Sequence, residues 1–136
     1  MQPKQTVLVL ALTLGLIGGV TTPSKAQSLS DLDGNAFLGN AQTGKFLGIV
    51  SSDRYDEKSI CNPYGTHGSK YEELSIQNSY GDYGSRYSDF SAYNPRAQYP
   101  PQLYLSNGEL LAVVSVNPKW GGIHPGVLFG VICEQR

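Results

Sequence analysis

The middle of the chain contains three consecutive versions of one motif: RYDEKSICNPYGTHGS (54–69), KYEELSIQNSYGDYGS (70–85) and RYSDFSAYNPRA (86–97). A tyrosine, a serine and an asparagine recur in them at a fixed step of 16 residues. The matching positions are Tyr55, Tyr71 and Tyr87, then Ser59, Ser75 and Ser91, then Asn62, Asn78 and Asn94. Tyr64-Gly65 likewise recurs as Tyr80-Gly81. This register predicts a 16-residue repeat whose last unit is incomplete.

Each unit offers only one small aliphatic position, which is Ile60, Ile76 or Ala92. A single unit therefore cannot bury a core, and repeat arrays usually need at least about three stacked units. The paired glycines of each unit favour tight turns over long helices. We expect irregular repeat turns whose core is completed by the flanking segments.

Those flanking segments have the pattern of antiparallel hairpins. Phe37–Gly39 and Phe46–Val50 are short apolar runs separated by a polar, glycine-containing loop. Leu103–Leu105 and Glu109–Val116 surround an Asn-Gly pair, the strongest short-range hairpin signal. The final apolar run, Val127–Cys133, is interpreted as a last strand. The sequence thus predicts a small, mostly β single domain over residues 27–136.

The first 26 residues have the organisation of a signal peptide. Lys4 precedes the apolar run Val7–Val20, and the small residues Ser24 and Ala26 occupy the positions that a leader peptidase reads. A spanning helix needs about 20 apolar residues, and this run is shorter and interrupted by glycines. We expect cleavage after Ala26, a secreted or periplasmic protein, and no membrane span in the mature chain.

The charge of the mature chain argues against a nucleic-acid partner. Residues 27–136 carry 8 basic and 11 acidic side chains, a net charge of −3. Nucleic-acid binding needs a clustered basic face. The partner is unknown, and a cell-envelope glycan or protein is the class to consider.

The two cysteines, Cys61 and Cys133, are expected to pair. An even number of cysteines in an exported chain favours a disulfide. This bridge would close a loop of 73 residues and stabilise the fold by about 4 kcal/mol. The alternative is a reactive thiol, so a small cell-wall hydrolase using Cys61 with a histidine stays open.

Metal sites are the other chemistry to consider. Acidic residues occupy the third and fourth places of the units, as Asp56-Glu57, Glu72-Glu73 and Ser88-Asp89, and stacked carboxylates could bind calcium. Basic neighbours (Arg54, Lys70, Arg86) favour local ion pairs instead. Zinc would need closer cysteine or histidine spacing, and His67 aligns with Tyr83, as a packing aromatic would. We expect no cofactor and no metal, with a calcium-dependent binding module as a further alternative.

The repeat tyrosines and asparagines are the candidate contact or scaffold positions: Tyr55, Tyr64, Tyr71, Tyr80, Tyr87, Asn62, Asn78 and Asn94. Tyrosine offers a flat apolar ring and a polar hydroxyl, which suits sugars and proteins alike. The low aliphatic content of the units favours the other interpretation, in which the rings form the core.

The run Tyr-Gly-x-His/Tyr-Gly-Ser-Lys/Arg-Tyr, with Ser-Ile-x-Asn between copies, resembles a group of small uncharacterised secreted bacterial proteins, as in cyanobacteria. The similarity covers Phe46 to Pro101, and Arg96 departs from the aromatic usual after Asn94-Pro95. The resemblance implies an exported globular module and no established activity. The expected function is a non-enzymatic structural or interaction module of the cell envelope.

Overall fold

The computed structural model describes residues 28–134, so the expected signal peptide, residues 1–26, lies outside the described residues. The described chain contains strands β1 (Ala36–Asn40), β2 (Lys45–Val50), β3 (Gln102–Leu105) and β4 (Leu110–Val113), and one α-helix, α1 (Pro125–Cys133). Short 3₁₀ helices cover Leu29–Leu32 and Pro118–Trp120. The strands form one antiparallel sheet in the order β2-β1-β3-β4.

Both predicted hairpins are confirmed, as is the mostly β fold. The loop between β1 and β2 is held by Asn40, whose Oδ1 accepts the backbone N–H groups of Gln42 and Thr43 at 3.0 and 3.1 Å. The turn between β3 and β4 places Gly108 at a φ of +94°, a conformation that glycine adopts without strain. Turn chemistry therefore positions the four strands as the sequence indicated.

The predicted final strand is wrong, because Val127–Cys133 belongs to helix α1. The helix begins where the His124 Nδ1 accepts the Gly126 backbone N–H at 2.9 Å, and Pro125 occupies its first turn. Proline at that position has the φ a helix needs and lacks only an N–H that would be unpaired anyway. A short, continuous apolar run does not distinguish a buried helix from a strand by periodicity.

One core joins the sheet, the helix and the repeat segment 54–97, which we call the array. The sheet buries Leu38, Leu47 and Leu103, and α1 buries Leu128 and Ile132, all at 0% exposure. The aliphatic positions of the array, Ile60, Ile76 and Ala92, are 0–1% exposed and belong to the same cluster. The flanking segments therefore complete the core, as expected.

The array consists of turns, apart from one bridge between Ser59 and Ile49 of β2. At this end, the Ile60 N–H donates to the Ile49 carbonyl at 3.0 Å. At the other end, the Val116 N–H donates to the Ala92 carbonyl at 2.9 Å. Backbone hydrogen bonds thus join the first unit of the array to β2 and the last unit to the segment that follows β4. No helix within residues 28–134 has the length and apolar character needed to cross a membrane.

Candidate functional site

A buried asparagine holds each turn of the array. Asn78 donates from Nδ2 to the Glu72 carbonyl at 3.1 Å and accepts at Oδ1 from the Tyr80 backbone N–H at 3.0 Å. The equivalent bonds at Asn62 and Asn94 measure 2.9–3.1 Å. All three asparagines are at most 9% exposed. Their side chains serve the scaffold, because their polar atoms are used within the chain.

A fully buried serine lies three residues before each asparagine. Ser59, Ser75 and Ser91 are 0% exposed. Each hydroxyl accepts the backbone N–H of the residue two positions later, at 2.9–3.1 Å. The same bonds therefore recur along the array at the 16-residue step of the sequence. Successive turns consequently present their outer residues from similar backbone positions.

Five tyrosines project from these turns into solvent, and we call them the tyrosine face. Their exposed fractions lie between 89% and 95%. They are Tyr55, Tyr64, Tyr71, Tyr80 and Tyr87. The interpretation of repeat tyrosines as core residues is wrong for these five. Aliphatic side chains of the array, sheet and helix fill the core without them, together with Tyr83 and Phe129.

Every member of the tyrosine face stands on a backbone position that another side chain fixes. The tyrosine N–H donates to the side chain two residues earlier, at 2.9–3.0 Å in all five cases. The acceptors are Asp53, Asn62, Ser69, Asn78 and Ser85. Turns of this kind fix the backbone and leave the side chain outside. An exposed group on a fixed backbone loses less freedom when it makes a contact.

The other aromatic position of the repeat faces inward, as its register predicted. Tyr83 is 4% exposed, and its hydroxyl lies 2.8 Å from the Thr43 hydroxyl. His67 is 6% exposed, with Nδ1 3.1 Å from the Leu74 carbonyl and its ring edge-on to Phe46 at 5.0 Å. These contacts account for His67 as a packing residue.

Two open depressions on the surface of the array have matching linings. Each is lined by an arginine–tyrosine pair together with an asparagine–proline pair. The pairs are Arg54-Tyr55 with Asn62-Pro63, and Arg86-Tyr87 with Asn94-Pro95. Tyr64 also lines the first depression, and Arg96 takes the equivalent position in the second. The tyrosine face therefore combines aromatic rings with cationic hydrogen-bond donors.

The predicted disulfide is confirmed, since Cys61 and Cys133 are bonded with their Cα atoms 5.3 Å apart. The bridge joins the first turn of the array to the end of α1. Arg54 donates from Nη2 to the Cys133 carbonyl at 3.2 Å. The described chain contains no free cysteine.

The acidic positions of the repeat do not come together as a metal centre in the described chain. Within residues 28–134, no three His, Cys, Asp or Glu side chains lie close enough to share an ion. The Asp56 Oδ1 accepts the Lys58 backbone N–H at 2.9 Å, so this carboxylate takes part in a local turn. Asp56 therefore has a structural use that needs no cation.

A further asparagine turn, at Asn117, was missed from the sequence. Asn117 donates from Nδ2 to the Ala97 carbonyl and accepts at Oδ1 from the Lys119 N–H, both at 3.0 Å. It lies outside the 16-residue register, so a fixed step does not find it. The signal was the Asn-Pro pair of Asn117 and Pro118, which also occurs at Asn62 and Asn94.

A second aromatic surface lies on the sheet and consists of Phe37, Phe46 and Tyr104; we call it the sheet stripe. The Phe37 ring stacks on Tyr104 with centroids 5.2 Å apart and lies 6.0 Å from Phe46. Leu110, the cross-strand partner of Tyr104, is 56% exposed beside them. The rings of this stripe contact one another, so they have a packing role.

No protein-family model matches the chain, and neither the characterised proteins nor the solved structures compared with it include a match.

Proposed function

We propose that this protein is an exported, non-enzymatic interaction module of the cell envelope, and that the tyrosine face is its contact surface. One observation carries the proposal. Five tyrosines, 89–95% exposed, stand on backbone positions that Asp, Asn or Ser side chains fix. The asparagines serve the scaffold beneath them.

The exposure of these rings is the physical reason for assigning them a contact role. A ring that is 89–95% exposed adds little to the core, and exposed apolar groups favour association with a partner that covers them. Tyrosine is enriched at interfaces because its ring buries a large area while its hydroxyl finds a hydrogen-bond partner. Binding a partner would therefore bury the apolar ring area that folding leaves exposed to solvent.

Export is supported by the disulfide and by the leader-like sequence. Disulfides persist in oxidising compartments and are rare in the cytosol. The expected N-terminus of the mature protein is Gln27. Intact-mass measurement of protein from a periplasmic extract or culture medium tests this, and an exported protein that retains residues 1–26 would contradict the cleavage prediction.

The hydrolase alternative requires a thiolate at Cys61. Because the Cys61 sulfur is bonded to Cys133, that nucleophile is absent while the bridge is intact. Hydrolysis of envelope glycan by the reduced protein, and none by the Cys61→Ala variant, would favour the alternative. For the calcium alternative, an unchanged melting temperature in EDTA and in added Ca²⁺ would count against it.

The main test is co-sedimentation of the purified protein with isolated envelope fractions. We compare the wild type with Tyr64→Ala/Tyr80→Ala, which removes two exposed rings and no backbone hydrogen bond. The matched control is Leu110→Ala/Val127→Ala, which trims residues 56% and 53% exposed on the sheet and on α1. Circular dichroism and melting temperature show whether each variant is folded.

The expected result is that the tyrosine variant loses binding while its fold persists, and that the control variant still binds. Equal binding by the tyrosine variant and the wild type would overturn the assignment of the face. A wild type that does not sediment with any envelope fraction would overturn the interaction module itself and leave the array a purely structural element.

A further inference from the structure

The tyrosine face repeats the same chemistry along the array. Tyr55, Tyr71 and Tyr87 each follow a basic residue, and Tyr64 and Tyr80 each follow an asparagine turn by two residues. All of these positions recur at the 16-residue step. A ligand whose own units repeat can make the same contact at successive turns, and each added contact raises the overall affinity through effective concentration.

The two depressions that members of the tyrosine face line are open and do not enclose a ligand. Sites for small molecules normally bury most of the ligand in a concave pocket. Here the lining residues Tyr55 and Tyr64 are 91% and 94% exposed. Such a surface suits an extended chain that crosses several shallow depressions better than it suits a compact molecule.

The charges on the array exclude a polyion as the best partner. Residues 54–97 carry five basic and six acidic side chains, interleaved along the sequence. Binding to a polyanion depends on clustered cations and on counterion release. The array has a net charge of −1, so its electric field complements neither a polyanion nor a polycation.

The acidic residues and lysines of the array also differ from the centre of a protein–protein interface, where Lys, Asp and Glu are depleted although Tyr and Arg are enriched. Tyr55 lies between Arg54 and Asp56, and Tyr71 lies between Lys70 and Glu72. Flat rings beside charged hydrogen-bonding groups match a sugar, which has an apolar C–H face and hydroxyls around its edge. The ring faces supply stacking, and the charged groups supply donors and acceptors for hydroxyls.

We infer that the ligand of the tyrosine face is an uncharged, extended polysaccharide of the cell envelope, bound across successive turns of the array. This inference rests on the proposed function, since it names the class of partner for the same surface. The affinity is expected to rise with the number of sugar units until the chain spans the five rings, and to depend little on salt.

The test uses envelope fractions treated in two ways before co-sedimentation with wild-type protein. Periodate cleaves the vicinal diols of sugars, and proteinase K removes proteins. For a polysaccharide whose sugars have free vicinal diols, we expect periodate to abolish sedimentation, proteinase K to leave it intact, and a change from about 50 to about 500 mM NaCl to alter binding less than about twofold. Glycan fragments separated by size are expected to bind at least about tenfold more tightly when long than when short.

Two tyrosine variants distinguish stacking by the rings from hydrogen bonding by the tyrosine hydroxyls. Tyr64→Phe/Tyr80→Phe keeps both rings and is expected to retain most of the binding to long fragments, whereas Tyr64→Ala/Tyr80→Ala loses it. Leu110→Ala/Val127→Ala is the matched control and keeps wild-type affinity.

Binding that survives periodate and disappears with proteinase K would overturn the polysaccharide and identify a protein partner, leaving the proposed function in place. A loss of more than about tenfold in high salt would overturn the uncharged ligand in favour of a polyanion. The absence of wild-type binding to untreated fractions would remove the proposed function together with this inference.

Discussion

The tyrosine face and the sheet stripe use the same type of side chain in opposite ways. In the sheet stripe, the centroid of the Phe37 ring lies 5.2 Å from that of Tyr104 and 6.0 Å from that of Phe46, so the rings cover one another. In the tyrosine face, Tyr64 and Tyr80 are 94% and 95% exposed. The sheet therefore gains stability from its aromatic rings, whereas the array gains it from the serines, asparagines and aliphatic residues beneath the rings.

The largest expected effect comes from the bond that joins the array to the helix. Cys61→Ala/Cys133→Ala removes the bridge and is expected to lower the free energy of unfolding by about 2–5 kcal/mol, because the unfolded chain regains the freedom that the loop closure had removed. Urea unfolding measures the change. Wild-type protein in excess thiol is the control and should show a similar loss, whereas equal stability of the oxidised and reduced wild type would contradict a stabilising role for the bridge.

The sheet stripe should respond to the loss of a ring. Phe37→Ala removes contacts with both Phe46 and Tyr104 and is expected to cost about 2 kcal/mol, less than for a fully buried phenylalanine because Phe37 is only half-buried. Thermal and urea unfolding measure it. A change below about 0.5 kcal/mol would show that the rings of the sheet stripe contribute as little to stability as those of the tyrosine face, and would contradict the difference between the two surfaces.

The asparagine beneath the tyrosine face should matter more than the tyrosine above it. Asn78→Ala leaves the Glu72 carbonyl and the Tyr80 N–H without their partner and is expected to cost about 1–2 kcal/mol. The matched control is Asn107→Ala, which removes one exposed turn bond and should cost less. If both substitutions had the same small effect, the buried asparagines would not be the scaffold of the array.

Tyr80→Ala is expected to change stability by less than about 0.5 kcal/mol, because the ring makes no packing contact that folding depends on. Its backbone bond to Asn78 remains available. Urea unfolding alongside Asn78→Ala gives the direct contrast within one turn. A destabilisation comparable with that of Phe37→Ala would mean that the ring contributes to the fold.

The smallest expected effect concerns Tyr93, where burial raises the pKa of the phenol above its ordinary value of about 10. The unfolded chain then loses this proton at lower pH than the folded protein does. The contribution of the neutral phenol to stability is therefore fully present below about pH 10, and it is lost as the pH rises through the raised pKa. Urea unfolding between about pH 8 and about pH 11 should show a shallower decline for Tyr93→Phe than for the wild type, and equal declines for the two proteins would contradict a buried, neutral phenol.

The sequence predicted the parts of the fold that depend on local chemistry. The Asn107-Gly108 turn, the hairpins, the buried aliphatic positions and the cysteine pair all carry local or compositional signals, and the structure contains each of them. The helix at Pro125–Cys133 escaped prediction because its apolar run has neither the period of a strand nor that of an amphipathic helix.

The orientation of the aromatic rings was the least predictable feature. Composition suggested that tyrosines would replace scarce aliphatic residues in the core, but β1–β3 and α1 supply Leu38, Leu103 and Leu128 from outside the array. Whether a ring turns inward, like that of Tyr83, or outward, like that of Tyr80, depends on which turn position it occupies. That position is visible only once the side-chain acceptors of the turns are known.

The turns beneath the tyrosine face have an evolutionary consequence. Each turn bonds to the backbone N–H of the outward residue and makes no demand on its side chain, so any residue except proline can stand there. Arg96 and Lys119 already occupy such positions, with N–H groups bonded to Asn94 and Asn117 at 2.9 and 3.0 Å. Single substitutions can therefore change what the surface recognises at little cost in stability, and a lineage could exchange one partner for another while inheriting the same fold.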